Sequence, residues 1–504
     1  MDKMIVDPTK SIPAFYAGQS ILLTGATGFL GKIFIEKVLR SCPDVREIFL
    51  LMRPKKGLSI KERLDKILNL PLFEKLGKER SSNFEKLIPI SGNVNEKILG
   101  LSAVDRQMLI ERVTIIIHAA ADVKFNNSIK YSIFANTRAT RDICILAQNM
   151  KNLIALVYVS TAFAHVNEPF IDEKIYSPIA DWQKIIEIVE TLDEHTLNIF
   201  TAKCLDYAPN TYIFSKNLAE KVIQDYSSSL PCAIIRPSVV TTTFQEPFPG
   251  WLDNVYGPIG LLIAGGKGIL QVIHVNESIK EDIIPVDLLT KILIVVTWKV
   301  GLTTYDHSIT DSALLVVNCT SILNFTRQHY SNIFANLVIN DIPLEGVVSM
   351  PDTIVTQNFV LFYTLTILLH ILPATLIDLI LKCIGRQPML VRLRRGIYVA
   401  NSALSYFMFH EWKFNNANRL TLMSLIPHDD IDSFSFDIFN FNVNTYFRNS
   451  IIGAKKYLLH EDMNQLDAVK AHNKRVYLFI RIIKTITFIG VLWIIYKWIF
   501  SGTL

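Results

Sequence analysis

Short apolar runs alternate with longer helical patterns through roughly the first 300 residues of the chain. The first run, Ser20–Thr24, is followed by a glycine-rich turn and an amphipathic stretch over Phe29–Ser41. Further runs follow at Glu47–Arg53, Phe84–Ile90, Thr114–Ala119, Ala155–Ser160 and Cys232–Arg236. Strands that are apolar on both faces are typical of a sheet covered by helices on both sides. The pattern therefore predicts an α/β fold with a doubly wound parallel sheet.

The alternation fades beyond about residue 300. One last strand is predicted over Ser312–Asn318 and a helix over Asn324–Ala335, and a linker with Pro343 and Pro351 follows. Mixed helical patterns rich in Phe, Tyr and Asn occupy residues 388–460. We therefore predict a mostly α-helical C-terminal domain after the sheet domain.

Two segments, 359–381 and 478–500, are far more apolar than the rest of the chain. Only 19% of all residues are charged, whereas soluble domains usually carry about a quarter. Segment 478–500 is long enough to cross a bilayer, and Lys and Arg near its ends can reach the headgroups. We predict a C-terminal hydrophobic helix there that anchors the chain in a membrane, with a buried amphipathic helix as the alternative.

The other segment is interrupted by Pro373. Phe359–Leu372 is short for a membrane span, so we predict a helix that is buried or partly inserted into lipid.

The remaining bulk properties argue against several classes of protein. The net charge is +5 without a long basic run, so nucleic-acid binding is not indicated. The six cysteines form no C-x-x-C pair and indicate reduced thiols and no metal site. The N-terminus lacks a signal-peptide pattern, so the main domain is expected on the cytosolic side.

The turn after the first apolar run carries glycines at a meaningful spacing. Gly25, Gly28 and Gly31 stand between a predicted strand and a predicted helix, after Thr24. Such glycines allow a tight turn, close approach of backbone to a pyrophosphate, and close packing of helix on strand. The helix N-terminus adds N–H groups and a favourable dipole. The sequence therefore predicts dinucleotide binding.

Residues after the second apolar run favour one dinucleotide. Arg53, Lys55 and Lys56 occupy the region where an NAD site would place a carboxylate for the ribose hydroxyls. Positive charge there suits a 2′-phosphate, so the predicted cofactor is NADPH. A solvated basic loop is the alternative.

Tyr212 and Lys216 form a Y-x-x-x-K pair, which shares one face if it lies on a helix. A free phenol has a pKa near ~10, and a neighbouring ammonium lowers it and can hold the nicotinamide ribose. A hydroxyl from Thr161 or Ser160, at the end of a predicted strand, can bond a substrate carbonyl beside the tyrosine. These four residues are the predicted catalytic group.

Four further motifs make a resemblance specific. They are His118-Ala-Ala-Ala-Asp-Val-Lys-Phe125, Arg236-Pro-Ser-Val-Val240, Pro249-Gly-Trp-Leu-Asp-Asn-Val-Tyr-Gly-Pro-Ile-Gly260 and Ile284-Pro-Val-Asp287. With the glycines and the Tyr–Lys pair, the chain resembles the fatty acyl-CoA reductases, a branch of the extended short-chain dehydrogenases with a Rossmann sheet. The likeness extends to Leu372–Asp378 in the second domain.

The resemblance implies domains and site residues. Residues 18–300 would form an NADP-binding reductase domain, 301–358 a connection, 359–460 the helical acyl-reductase domain and 478–500 the anchor. Thr161 matches the family's hydroxyl position better than Ser160. The implied cofactor-binding residues are Thr24, Gly25, Thr27, Gly28, Phe29, Leu30, Gly31, Arg53, Asn93, His118, Ala119, Ala120, Lys216, Arg236, Pro237 and Ser238.

The family also implies an activity and a location. The substrate would be a long-chain acyl-CoA, reduced twice through a bound aldehyde to an alcohol at a lipid membrane. The endoplasmic reticulum with a cytosol-facing site is expected ahead of the peroxisomal membrane, and a homodimer is left open. A membrane-bound sterol or sugar-nucleotide dehydrogenase and a non-catalytic NADP-binding scaffold are the alternatives. His165 is expected to pack rather than to touch substrate.

Overall fold

The computed structural model describes residues 7, 9–55, 57–255, 257–305, 313–320, 325–437 and 441–500. The sequence positions Lys56, Tyr256, Ser312 and Asn324, and the tail Ser501–Leu504, lie outside these described residues.

The chain divides into two compact units, each made of several stretches. The first contains residues 1–249, 282–324 and 411–441, and the second contains 250–281, 325–410 and 442–504. The sequence predicted consecutive domains, whereas the two units alternate along the chain. Which distant stretches pack together depends on tertiary contacts, and local hydrophobic patterns do not carry that information.

The strands and helices of both units are numbered in chain order. The strands are β1 (Ser20–Thr24), β2 (Glu47–Met52), β3 (Leu87–Ser91), β4 (Ile115–His118), β5 (Ala155–Val159), β6 (Phe170–Ile171), β7 (Cys232–Pro237), β8 (Val239–Thr241), β9 (Val272–His274), β10 (Ile283–Pro285), β11 (Leu315–Cys319), β12 (Ile354–Thr356) and β13 (Lys413–Phe414). The helices are α1 (Ile12–Tyr16), α2 (Phe29–Ser41), α3 (Ile60–Leu68), α4 (Glu74–Arg80), α5 (Ala103–Arg112), α6 (Ile129–Ser132), α7 (Ala139–Ala147), α8 (Trp182–Thr191), α9 (Glu194–Cys204), α10 (Thr211–Tyr226), α11 (Pro258–Gly266), α12 (Val286–Tyr305), α13 (Arg327–Asn340), α14 (Phe359–Thr366), α15 (Leu372–Cys383), α16 (Leu390–Phe409), α17 (Ala417–Ser424), α18 (Ile431–Phe434), α19 (Val443–Gly453) and α20 (Leu466–Phe500).

A parallel sheet forms the centre of the first unit. Over the described residues it has seven strands in the order β3-β2-β1-β4-β5-β7-β11. Every residue of β1, β2, β4 and β5 is buried, because α2 and α12 pack on one face while α7 and α10 pack on the other. The predicted doubly wound α/β fold is confirmed. The strand order reverses between β1 and β4, and ligands of such sheets bind outside the carboxyl ends of strands at this reversal.

The predicted elements and the observed ones differ mainly at their ends. Helix α2 has the predicted bounds, and β1 does too. Strand β3 starts three residues later than predicted, because Ser81–Lys86 form a 3-10 turn ahead of it. Helix α13 runs further than predicted, to Asn340.

The second unit is largely helical, as predicted, and its longest apolar helix passes through Pro373. Helices α14 and α15 are joined by a π-helical turn over Ile367–Ile371. Proline has no N–H for a helical bond, and a π turn is one way in which a helix accommodates that loss. The resulting helix, Phe359–Cys383, is long and apolar enough to cross a membrane by length and composition. It is the one such helix among the described residues.

The segment Ile284–Asp287 joins strand β10 directly to helix α12 in the first unit. Strand β10 pairs with β8, and α12 begins directly after it. The buried Asp287 carboxylate accepts hydrogen bonds from the backbone N–H groups of Phe244, Gln245 and Glu246 at 2.7 to 3.0 Å. Burial nevertheless raises the pKa of Asp287. The carboxylate thus fixes the backbone of residues 244–246 against the start of α12.

We predict that Asp287→Ala lowers the free energy of unfolding by about 1–3 kcal/mol, because it removes the acceptor of three part-buried N–H groups. Asp193→Ala is the matched control, since it removes an exposed carboxylate that caps α9 and should cost about 1 kcal/mol. Urea unfolding monitored by circular dichroism measures both. Equal losses in the two variants would contradict this account of Asp287.

Candidate active site

The glycine turn between β1 and α2 brings three segments of backbone into contact. Gly25 has a φ of +80°, and a Cβ there would lie 2.8 Å from the backbone of Ala119 and Ala120. A Cβ on Gly31 would lie 2.3 Å from the carbonyl oxygen of Gly25. Larger residues are therefore excluded, because the first turn of α2 and the loop after β4 both press on this turn. Gly28 stands at the N-terminus of α2, where no side chain caps the helix.

A chain of hydrogen bonds fixes the loop after β4 against the turn. The Thr24 hydroxyl oxygen accepts from the Ala120 N–H at 3.1 Å and lies 2.8 Å from Nδ1 of His118. Nε2 of His118 lies 3.1 Å from the Thr140 hydroxyl, which donates to the Asn136 carbonyl at 2.6 Å. For each hydroxyl to donate once, His118 must carry its proton on Nε2.

His118 is fully buried and neutral at physiological pH. Burial, aided by the Lys216 charge, lowers its pKa to about 3. Both ring nitrogens are bonded to side chains of the protein, so its structural role is to align Thr24 and the Ala119–Ala120 loop. The predicted cofactor residues Ala119 and Ala120 are half-exposed beside the turn.

Tyr212 and Lys216 lie on α10, in its first and second turns. Asn210 caps the helix by accepting from the Ile213 N–H at 2.9 Å, which sets where the helix begins. Burial raises the pKa of Tyr212 to about 12, while a bond with Thr161 acts in the opposite direction. The phenol is therefore protonated at neutral pH and faces the Thr161 hydroxyl.

The Lys216 ammonium lies deeper than the phenol. It donates to the Val159 carbonyl at 2.6 Å and to the Tyr158 hydroxyl at 3.2 Å, and it sits 4.6 Å from the centre of the Tyr158 ring. Burial lowers the pKa of Lys216 to about 7, although the nearby Glu220 acts to raise it. The ammonium is thus held at the carboxyl end of β5, one helical turn from Tyr212.

Glu220, one further turn along α10, is bound on both carboxylate oxygens. One oxygen accepts from the Ser160 hydroxyl at 2.5 Å and from Nε of Arg236 at 2.9 Å. The other accepts from His165 at 2.9 Å and from a terminal nitrogen of Arg236 at 2.6 Å. Burial alone would raise the pKa of Glu220, but Arg236 and His165 hold it well below its usual range.

Hydrogen bonding to Glu220 distinguishes Ser160 from Thr161, the two candidate hydroxyls. Ser160 donates to Glu220 beneath the site, whereas Thr161 faces Tyr212. The geometry therefore favours Thr161 over Ser160 as the hydroxyl next to the reacting group. The predicted packing role of His165 also agrees with its burial against Glu220 and Asn217.

The prediction that Arg236 binds the cofactor needs correction. Its side chain is 0% exposed, and besides Glu220 it donates to the carbonyls of Asp172 and Lys174 at 2.9 and 2.8 Å. Four of its five N–H donors are thus bound to internal acceptors, so the buried guanidinium stabilises the protein interior. Sequence position at the end of a strand could not distinguish these roles.

The remaining predicted residues lie at carboxyl ends of neighbouring strands. Asn93 follows β3, and its side chain bonds Asn95 and Glu96 within its own turn. Pro237 ends β7, and the hydroxyl of Ser238 beyond it is buried with no hydrogen-bond partner among the described residues. Thr27, Phe29 and Leu30 belong to the glycine turn and the start of α2, and all three are half-exposed.

Arg53 follows β2 and is exposed, and a second arginine lies beside it. Arg63, on α3, donates to the Arg53 carbonyl. Burial and the Arg53 charge both lower the pKa of Arg63, so the two guanidinium groups are close. The sequence alone did not indicate Arg63, because the helical periodicity around it gives no reason to connect it with Arg53.

Two more residues near Tyr212 were missed. The Phe125 ring stacks on the Tyr212 ring with centres 5.8 Å apart. Asn136 is buried and bonds Ser215 on α10 at 2.8 Å and both backbone groups of Asp122. Both residues therefore position the tyrosine. Glu220 was detectable in principle, since it continues the four-residue spacing of Tyr212 and Lys216 on one face of α10.

The motif around Trp251, residues 249–260, contributes to packing in the second unit. Trp251 is buried, and a Cβ on Gly250 would lie 2.1 Å from the Asn449 carbonyl oxygen. A Cβ on Gly453 of α19 would lie 1.7 Å from the Gly250 carbonyl oxygen. This motif is therefore explained by close packing of backbone in the second unit.

The residues around the glycine turn fit a nicotinamide dinucleotide. An uncapped helix N-terminus, glycines in close backbone contact, an exposed arginine and an orphaned buried hydroxyl at Ser238 are the groups that a pyrophosphate, a ribose and a nicotinamide amide require.

Comparisons with known proteins agree with this site. An NAD-binding family model described as male sterility protein matches residues 23–293, and a second model with the same description matches residues 369–461. The cofactor is thus a nicotinamide dinucleotide. Among solved structures, the terminal R domain from the myxalamid PKS-NRPS biosynthetic pathway is 18% identical, with a TM-score of 0.55 over 88% of this chain and 92% of that one. The reductase domain of a nonribosomal peptide synthetase from Mycobacterium tuberculosis has a TM-score of 0.53 at 18% identity, over 90% of this chain and 96% of that one. These likenesses show the fold.

Relatives of known name are much closer in sequence. Fatty acyl-CoA reductase 1 of Homo sapiens is 37% identical over 92% of this chain and 89% of the relative. Fatty acyl-CoA reductase 2 of Mus musculus is likewise 37% identical, over 92% of this chain and 89% of the relative. Because the identity extends over nearly the whole of each protein, the chain belongs to the fatty acyl-CoA reductase family.

Proposed function

We propose that this chain reduces long-chain acyl-CoA to fatty alcohol and free CoA, with NADPH as reductant. The observation that carries the proposal is the protonated Tyr212 phenol facing Thr161, beside the strand ends where the glycine turn lies. Membership of the fatty acyl-CoA reductase family supports the substrate class.

The glycine turn and its neighbours would hold the cofactor. The N-terminus of α2 would bind the pyrophosphate, and Lys216 the nicotinamide ribose. Arg53 and Arg63 together supply positive charge where a 2′-phosphate would lie, which favours NADPH over NADH. When bound, the reduced nicotinamide supplies hydride to the substrate carbonyl carbon.

Two side chains of the protein supply the proton and orient the carbonyl oxygen of the substrate. Tyr212 donates its proton to the carbonyl oxygen as the carbon is reduced, and Thr161 orients that oxygen. After the first reduction the C–S bond of the hemithioacetal breaks, its hydroxyl returns the proton to the Tyr212 phenolate as the carbonyl forms again, and CoA leaves as its thiolate. The aldehyde stays bound, and the same two residues serve its reduction to the alcohol.

Tyr212→Phe should retain NADPH affinity and lose turnover by roughly 10²–10⁴-fold, because it removes the proton donor and keeps the ring that stacks on Phe125. Tyr226→Phe, at the far end of the same helix, is the matched control and should keep its turnover. Cofactor titration and steady-state kinetics give the two readouts. Full activity in Tyr212→Phe would remove Tyr212 from the mechanism.

Arg53→Ser should weaken NADPH binding roughly 10-fold or more and leave NADH binding nearly unchanged, because a charge-assisted bond to phosphate is lost. Arg46→Ser removes an equally exposed arginine before β2 and should change neither. The ratio of kcat/KM for the two cofactors reports the effect. An unchanged ratio would assign the phosphate to other residues.

The proposal includes a membrane location through segment 478–500. Within the part of α20 that belongs to this segment, described apolar side chains such as Leu478, Phe479, Ile486 and Ile489 are exposed, which suits contact with lipid. We expect the chain at the endoplasmic reticulum with its site open to the cytosol, ahead of the peroxisomal membrane. A homodimer stays a prediction.

The activity can be measured directly. A membrane fraction containing the full chain should oxidise NADPH with long-chain acyl-CoA, consuming two NADPH for each alcohol formed, with product analysis by chromatography. One NADPH per aldehyde released would limit the function to the first reduction. Turnover of a sterol or a sugar nucleotide would support the alternative dehydrogenase, and absence of turnover with every substrate would support a scaffold.

A further inference from the structure

The helix Phe359–Cys383 of the second unit has its polar side buried and its apolar side exposed. At every fourth position a residue is buried: Phe362, Thr366, His370, Ala374 and Asp378. Three of these five are polar. A helix of a soluble protein shows the opposite arrangement, because water favours polar groups on the outside.

The exposed side of this helix is mostly apolar, although Thr364 and Thr375 also lie on it. Val360 is 72% exposed, Leu379 59% and Ile380 60%, and Leu368 and Leu376 are about half exposed. Contiguous apolar surface of this kind marks an interaction site. In lipid the usual preference is reversed, so polar residues turn inward and apolar residues face outward.

Two of the three buried polar residues, Asp378 and His370, form hydrogen bonds within the second unit. Asp378 accepts from the N–H groups of Met389, Leu390 and Val391 at 2.9 to 3.0 Å and so caps α16. Nε2 of His370 accepts from the Gln271 N–H at 3.0 Å. An internal cap of this type is what a helix end requires where water does not reach.

Helix α16 returns alongside α15, so the two form a hairpin. Both ends of the hairpin are fixed to the same part of the second unit. Just before it, β12 pairs with β9, and at its end the Met408 carbonyl accepts from the Asn276 N–H at 3.2 Å. The chain therefore leaves and returns on one side, and crossing a bilayer would carry the hairpin tip to the opposite side.

The hairpin tip, which comprises residues 384–389 and the adjoining ends of α15 and α16, is strongly basic. Lys382, Arg386, Arg392, Arg394 and Arg395 lie at or next to it, and the sequence has no carboxylate between Asp378 and Glu411. Four of the five cations are exposed, whereas Arg394 is half-buried and donates to the Ile269 carbonyl. Short loops rich in Lys and Arg resist transfer across a membrane, and such clusters bind anionic headgroups.

We propose that this hairpin, residues 359–409, is a monotopic membrane element. It lies in one leaflet with its aliphatic face among the acyl chains and its basic tip at anionic headgroups, and it does not span the bilayer. The helix is long enough to span, yet the basic tip and the shared side of its two ends favour an in-plane position. This contact is separate from segment 478–500 and does not depend on catalysis.

Site-specific fluorescence on the full-length chain tests the lipid contact. In a Cys204→Ser, Cys383→Ser background, a nitrobenzoxadiazole probe is attached at Leu376→Cys, or at Val104→Cys as control, since Val104 is an exposed apolar residue of α5. On phosphatidylcholine vesicles containing phosphatidylserine, the probe at 376 should shift to the blue and be quenched by nitroxide lipids, and the probe at 104 should not. An unquenched probe at 376 would overturn the proposal and leave a protein partner as the occupant of this face.

Charge variants test the headgroup contact. Arg392→Gln with Arg395→Gln should require roughly tenfold more phosphatidylserine for the same quenching. Lys75→Gln with Lys78→Gln removes two exposed cations of α4 and should have no effect. Equal responses of the two double variants would contradict recognition of anionic lipid by the tip.

The native Cys383 distinguishes the leaflet position from a span. It is exposed at the tip, so a membrane-impermeant maleimide added outside sealed proteoliposomes, made by adding protein from outside, should label it in the Cys204→Ser chain. Labelling that appears only after detergent would place the tip across the bilayer and overturn the monotopic arrangement.

Discussion

The catalytic face of the first unit depends on the buried ion pair between Glu220 and Arg236. Arg236 lies on β7, and Glu220 lies two helical turns beyond Tyr212 on α10. The same carboxylate holds Ser160 and His165 near the carboxyl end of β5. A charge pair buried this deeply is strongly destabilising to break, by about 3–5 kcal/mol when one partner is removed. It therefore fixes the rotation of α10 about its axis, and that rotation directs Tyr212 toward Thr161.

A second constraint acts at the opposite side of the crevice, where backbone packs on backbone. Gly25 and Gly31 allow the turn, the start of α2 and the loop after β4 to meet at distances that no side chain permits. His118 keeps this loop in register through Thr24 on one side and Thr140 on the other. The floor of the cofactor crevice is thus made of main chain held by buried neutral hydrogen bonds, while the catalytic face is held by buried charge. The side chains that form both sets of contacts are buried away from solvent. Such burial suits a site that must keep reacting groups in fixed positions.

The two units differ in where their apolar side chains lie. In the first unit the strands are buried on both faces, and the side chains that carry chemistry emerge only at strand ends. In the second unit the helix Phe359–Cys383 buries Thr366, His370 and Asp378 and exposes aliphatic side chains.

The sequence by itself determined the elements whose signals are local. Alternation of apolar runs and helical patterns predicted the doubly wound sheet, and the spacing of Gly25, Gly28 and Gly31 predicted the cofactor turn. The four-residue spacing of Tyr212 and Lys216 placed both on one face of α10, because helical periodicity follows from covalent geometry alone. Tertiary structure decided the rest. It paired the Arg236 side chain with Glu220, bonded Ser160 to Glu220 and Thr161 to Tyr212, carried the apolar helix through Pro373 by a π turn, and joined residues 411–441 to the sheet unit. Each of these depends on which distant groups meet in space, and a pattern read along one stretch of chain does not contain that information.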